Sequence, residues 1–109
     1  MKNQLVNILN VALVFVECCN EYSHDYDEEE KQYREILYKI EKENYQDFSK
    51  EEIEILIDAC DNAIEEKEIN ELKFDAEYYE EVNDIVNVQN KLKAQLLFLR
   101  KMISKFFEK

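Results

Sequence analysis

Glycine and proline are both missing from this 109-residue chain. Glycine takes left-handed backbone angles at no steric cost and proline fixes tight exits, so hairpin-rich β architecture has lost its usual punctuation. The same absence removes glycine-rich phosphate loops and the usual EF-hand calcium loop, whose sharp turn needs glycine. Basic residues are few: 14 against 26 acids, a formal net charge of −12. Repulsion on that scale disfavours nucleic acid and anionic membranes as direct partners and favours a protein with a basic surface.

No apolar run approaches the roughly 18 to 20 residues that span a bilayer. The run from Val11 to Val16 resembles a short signal core, but Asn7 and Asn10 interrupt it and no small-residue cleavage site follows. Glu17 stands before Cys18 where a lipoprotein signal needs a small residue. The three cysteines, Cys18, Cys19 and Cys60, are odd in number and two are adjacent, so they make no disulfide framework. A soluble protein in a reducing, cytoplasmic setting is the expectation.

What is present forms helices. Glu, Lys, Leu, Ala and Gln are abundant, and 46% of the residues are apolar, too many for a disordered tail of this charge. The expected fold is all-α: a small antiparallel three- or four-helix bundle with a long C-terminal helix, in a single domain over residues 1–109. The first helix, near 3–21, carries Leu5, Leu9, Ala12, Val16 and Cys19 at helical spacing. Val6, Leu13 and Phe15 add apolar surface on other sides, so this helix is expected at the centre.

The polar stretch from Asn20 to Asp27 makes the first connection, with Asp25 or Asp27 capping a second helix near 27–44. Glu28, Glu29 and Glu30 then sit in its first turn, where negative charge meets the positive end of the helix dipole. Its stripe of Tyr33, Ile36, Leu37 and Ile40 is narrow, which predicts a more exposed helix. Ser49 and Glu52 have the spacing of a capping box, with Phe48 as a staple onto Ile53 or a neighbour, and open a third helix near 50–68. Ile53, Leu56, Ile57, Cys60, Ala63 and Ile64 line it, and its end falls somewhere between Glu68 and Phe74.

Asp75 is placed to cap a fourth helix over 75–107. Tyr78, Val82, Ile85, Gln89, Leu92, Leu96, Leu99, Ile103 and Phe106 alternate steps of four and three along it, a heptad seam broken at Gln89. At about 1.5 Å per residue it reaches roughly 45 to 50 Å, longer than the others. Leu97, Phe98, Met102 and Phe107 widen the stripe beyond what one partner buries. The expectation is therefore that the first helix wraps against it or that the chain dimerises through Leu92, Leu96, Leu99, Ile103 and Phe106. The first and fourth helices are expected at the centre of the bundle.

Few residues carry recognisable chemistry. Glu21 and His24 have the E-x-x-H spacing of di-iron bundles, but such a site needs further copies and this chain has one histidine. Cys18 and Cys19 have neither zinc nor redox spacing, and the cysteines are expected to pack as small hydrophobes, Cys60 on the core stripe. No catalytic residue, metal ligand or cofactor site is therefore expected, and no enzymatic activity. Seven tyrosines, Tyr22, Tyr26, Tyr33, Tyr38, Tyr45, Tyr78 and Tyr79, lie among acids, a composition suited both to half-buried helix positions and to contact with a basic protein.

The charge is unevenly spread. Residues 17–81 hold 24 acids and 7 bases, whereas residues 82–109 hold 2 acids and 6 bases. Acids along a rigid bundle can imitate the phosphates of a nucleic acid and fill a basic groove, and Asp25, Asp27, Glu28, Glu29, Glu30, Glu51, Glu54, Asp58 and Asp61 are the candidates for such a face. Part of this charge is expected to pair with Lys91, Lys93, Arg100, Lys101 and Lys105.

In composition, rich in Asn, Lys, Ile and Glu, the chain resembles small phage or mobile-element products, among them inhibitors of bacterial defence such as anti-CRISPR proteins. The likeness covers the whole chain and assigns no residue a role. It implies a non-catalytic inhibitor that blocks a partner's surface. An immunity protein or antitoxin for a cognate toxin, and an oligomeric structural or adaptor subunit, are the alternatives.

Overall fold

A computed structural model describes residues 2–70 and 76–107, with side chains described over 2–69 and 76–102. Four helices follow one another and no strand occurs among the described residues: α1 (Lys2–Asn20), α2 (Asp27–Glu43), α3 (Lys50–Asn70) and α4 (Ala76–Phe107). These spans fall within two residues of those expected at each described boundary. Asp75, the expected cap of α4, lies outside the described residues.

The turns show how a chain without glycine reverses direction. Asn44 closes α2 in the left-handed region at φ 53°, and His24 takes φ 58° between α1 and α2. Asn and His are among the non-glycine residues that tolerate this region best. Beyond Asn44 the Tyr45 N–H returns to the Lys39 carbonyl at 3.1 Å, satisfying one of the carbonyls a helix end leaves unpaired. The capping box forms as expected, the Ser49 N–H donating to Glu52 Oε1 at 2.9 Å and the Glu52 N–H to Ser49 Oγ at 3.2 Å. Phe48 packs on the core beside this box, edge-on to Tyr45.

The start of α2 departs from expectation. Neither Asp25 nor Asp27 caps it: Tyr26 holds that position without a side-chain cap bond, and Asp27 is already helical. The cause lies in α1, where Asn20 Oδ1 accepts the Tyr26 N–H at 2.8 Å and Phe15 meets the Tyr26 ring edge-on. Tertiary contact with Tyr26 sets the entry, so the aspartates stay in solvent.

Cross-helix bonds fix the directions. Lys2 with Asn44 and Glu17 with Arg34 run α1 and α2 antiparallel. Lys39 with Glu52 and Tyr33 with Asp58 do the same for α2 and α3. Lys67 with Glu81, Asp61 with Gln89 and Glu54 with Arg100 do so for α3 and α4.

The centre of the bundle is the α1–α3 pair, not helices 1 and 4, whose mutual contact is slight. Ala12 of α1 and Ala59, Cys60 and Ala63 of α3 all have no exposed surface. Small side chains let two helix axes approach closely, so a long side chain at these points would hold the pair apart. Leu9, Val16, Ile53 and Leu56 are buried with these small residues in the same core. Helix α1 is buried along one broad stripe rather than all round, since Val14 is 54% exposed. As expected, α2 buries less, only Tyr33, Ile36 and Ile40.

Helix α4 lies along α3 and spans most of the 52 Å long axis of the molecule. Ile85, Val88, Leu92 and Leu96 enter the common core. Among the described residues, no helix is long and apolar enough to cross a membrane.

Candidate functional site

Glu51, Glu54, Asp58 and Asp61 are spaced three, four and three residues apart on α3, which places one carboxylate per turn along a single side of the helix. All four are exposed. They face outward because the opposite side, Ile53, Leu56, Ala59, Cys60 and Ala63, is spent on the core. Glu51, Glu54 and Asp58 form a shallow depression with Ile55, and Glu29 and Gln32 of α2 supply its other wall.

Two carboxylates of this row are held by neutral donors from neighbouring helices. The Tyr33 hydroxyl donates to Asp58 Oδ2 and accepts from Asn62 Nδ2 at 2.8 Å. Tyr33 itself has no exposed surface. Burial, and then the hydrogen bond and charge of Asp58, push its phenol pKa far above the ordinary tyrosine value, so it remains a donor. From the other side Gln89 Nε2 of α4 donates to Asp61 Oδ1 at 2.8 Å and to the Ile57 carbonyl at 3.0 Å. Neither donor carries charge, so Asp58 and Asp61 are oriented without being neutralised.

Other acids are paired with cations. Glu17 meets Arg34, and Glu81 meets Lys67 at 2.8 Å. Glu52 meets Lys39 at 3.0 Å and turns away from the row into the capping box. Burial acts to raise the Glu52 pKa, but hydrogen bonds from Ser49 and Lys39 and the Lys39 charge outweigh it and hold the carboxyl below its usual value. Of the α4 cations expected to pair, Arg100 reaches Glu54 at 3.4 Å in an exposed contact. Lys91, Lys93 and Lys101 are exposed, and the Lys105 side chain lies outside those described.

The α2 acids divide. Glu29 joins the α3 row, and Glu28 borders it through Gln32, whose Nε2 donates to Glu28 Oε1 at 3.4 Å. Asp25 stays in the exposed turn and Asp27 lies 3.5 Å from His24 Nδ1. Glu30, one residue on from Glu29 and rotated by about 100°, is not part of the depression. As for the helix 4 seam, Leu92 and Leu96 are buried in the chain's own core and Leu99 packs half-buried against it. The side chains of Ile103 and Phe106 lie outside those described. Among the described residues, α4 exposes Tyr79 near its start and Leu97, Phe98 and Met102 toward its far end.

The chain matches no protein-family model, no curated protein and no solved structure with which it was compared. Cys60 is buried, and burial followed by the Asp61 charge pushes its thiol up to about 12. Burial and the charges of Cys18, Glu66 and Glu65 raise Cys19, which is half-buried. Both environments disfavour the thiolate that nucleophilic or metal-binding cysteine requires. Cys18 is exposed, contrary to the expectation that the cysteines pack as small hydrophobes, because it falls on the solvent side of the last turn of α1. Glu21 and His24 both stand in the exposed turn, and no group of three or more His, Cys, Asp or Glu placed to hold a metal ion occurs among the described residues.

Sequence reasoning missed Tyr33, Asn62 and Gln89 as parts of the site. Gln89 had a visible signal: an amide in an apolar seam must find a partner when buried. Tyr33 had only the signal it shares with six other tyrosines, their place among acids, because its spacing is that of an ordinary core residue.

Proposed function

We propose that this chain is a non-catalytic binding protein that blocks a basic surface on another protein, its α3 face standing in for the phosphates of a nucleic acid. The observation that carries this reading is the pair of neutral clamps, Tyr33 on Asp58 and Gln89 on Asp61. Carboxylates that are oriented but not neutralised keep their charge for a partner. Rigid placement also lowers the ordering cost of binding. Positive side chains evolved to meet phosphates would gain from such a row as they do from a nucleic-acid backbone. Inhibitors of a phage-encoded, anti-defence kind would act in this way, in the cytoplasm, without a cofactor.

The test is capture of host proteins on the immobilised chain, followed by elution with salt and competition by duplex DNA. Captured protein should be released by DNA and by ionic strength well above the physiological 0.15 M, at which the screening length is already about 8 Å. Changing Glu51, Glu54 and Asp58 together to lysine should abolish capture. Retention at high salt, or capture indifferent to both DNA and the triple substitution, would refute the mimicry. In that case the adaptor reading, which the exposed apolar end of α4 supports, takes its place.

A further inference from the structure

Leu97, Phe98 and Met102 of α4 are 54%, 62% and 53% exposed, within six residues of one another. Helix α3 begins at Lys50, and Arg100 of α4 already stands level with Glu54, so only about one turn of α3 remains alongside α4 beyond that point. The exposed end is also the basic part of the chain, with Arg100 and Lys101 among its apolar side chains. A surface complementary to it must be acidic and must tolerate apolar contact. The depression walled by Glu29, Glu51, Glu54 and Asp58 has these properties, with Ile55 in its lining. It lies beside the α4 end in the same chain, joined to it by Arg100 and Glu54.

We propose that a second copy of this chain covers the α4 end. A two-fold axis beside Arg100 and Glu54 places each α4 end on the acidic depression of the other copy. Two surfaces that are adjacent in one chain and complementary to each other close a dimer in this way without leaving a free end. The two chains repel at long range, each at −12. Screening within about 8 Å at physiological salt leaves the local attraction between Lys101 and the opposing carboxylates, together with burial of Phe98 and Met102. The dimer masks the acidic row, and a basic partner must displace the α4 end to reach it. This last consequence rests on the function proposed above.

Sedimentation velocity on the full chain at increasing concentration tests the dimer, with circular dichroism confirming that each variant keeps its helicity. The chain should form a concentration-dependent dimer. Phe98→Glu with Met102→Glu should weaken it by about tenfold or more, as loss of a central apolar anchor does. Glu51→Lys with Glu54→Lys should weaken it comparably. Mixing the two double variants should restore association, because one keeps an intact depression and the other an intact helix end. A monomer at every concentration would overturn the proposal, and so would a dimer that survives the depression variant, since the α4 ends would then be pairing with each other. If the Phe98→Glu, Met102→Glu protein still captures a DNA-competed basic partner, the binding function stands whatever the fate of the dimer.

Discussion

Gln89 of α4 donates to the Asp61 carboxylate at 2.8 Å and to the Ile57 carbonyl at 3.0 Å, so the one polar break in the α4 seam is where α4 grips the outer face of α3. Only 6% of Gln89 is exposed. Its amide serves packing and the acidic row together.

Replacing Gln89 with leucine separates those roles. The side chain is of similar size and fits an apolar seam, while Asp61 is exposed and can turn to water. The Ile57 carbonyl keeps its place in the helix ladder. Urea unfolding should therefore show a change within about 1 kcal/mol, because replacing a polar contact by an apolar one of like shape is nearly neutral. Capture of a basic partner should nevertheless weaken, as Asp61 loses its orientation.

Tyr33→Phe should be costlier. Removing the hydroxyl leaves the Asn62 amide, which is buried, without its acceptor and frees Asp58. A loss of about 1 to 3 kcal/mol in unfolding free energy is expected from the unsatisfied amide. Changing Asn62 to leucine in the Tyr33→Phe background should recover part of that loss.

Alkaline stability follows from the same residue and from Cys60. Both groups have pKa values raised by folding, so the folded state holds its protons more tightly than the unfolded chain does. Stability is fully present below the unfolded values and falls as pH rises through them. The decline should begin near 9.0, the ordinary thiol value, and continue toward about 12 for Cys60. Tyr33 should add to it above about 10, where an ordinary tyrosine ionises. Chemical denaturation at stepped pH should show Cys60→Ala removing the earlier part of the slope and Tyr33→Phe the later part.

Ala63→Leu tests how tightly α3 packs into the core. Ala63 has no exposed surface, so the larger side chain must push the helices apart or leave its preferred rotamer. A destabilisation of about 1 to 3 kcal/mol is expected by thermal or urea unfolding, with helicity retained. An unaffected midpoint would mean the core around Ala63 is looser than its burial implies.

Asn44→Gly and Asn44→Ala should move stability in opposite directions. At φ 53° alanine incurs the left-handed penalty of about 1 to 2 kcal/mol, whereas glycine occupies this region freely. Thermal unfolding should rank the proteins Gly at or above Asn, with Ala below both.

The element spans, the Ser49–Glu52 capping box and the greater exposure of α2 were legible in the residues, because each depends on contacts within a few positions of the chain. The α2 cap was not, since Asn20 and Phe15 of α1 take hold of Tyr26 and override the nearby aspartates. Apolar stripes also announce that helices must pack without saying which stripe meets which. That α3 rather than α4 is the main partner of α1 shows only when the helices are brought together.

The lack of glycine and proline, the helical period and the excess of acids determined by themselves a negatively charged assembly of helical rods, through short-range backbone preference and solvation. The fold alone decided which acids became a surface. It split Glu29 from Glu30 and set Asp58 and Asp61 under Tyr33 and Gln89, and the second choice depends on side chains 25 and 28 residues away in the chain that meet only when three helices are packed.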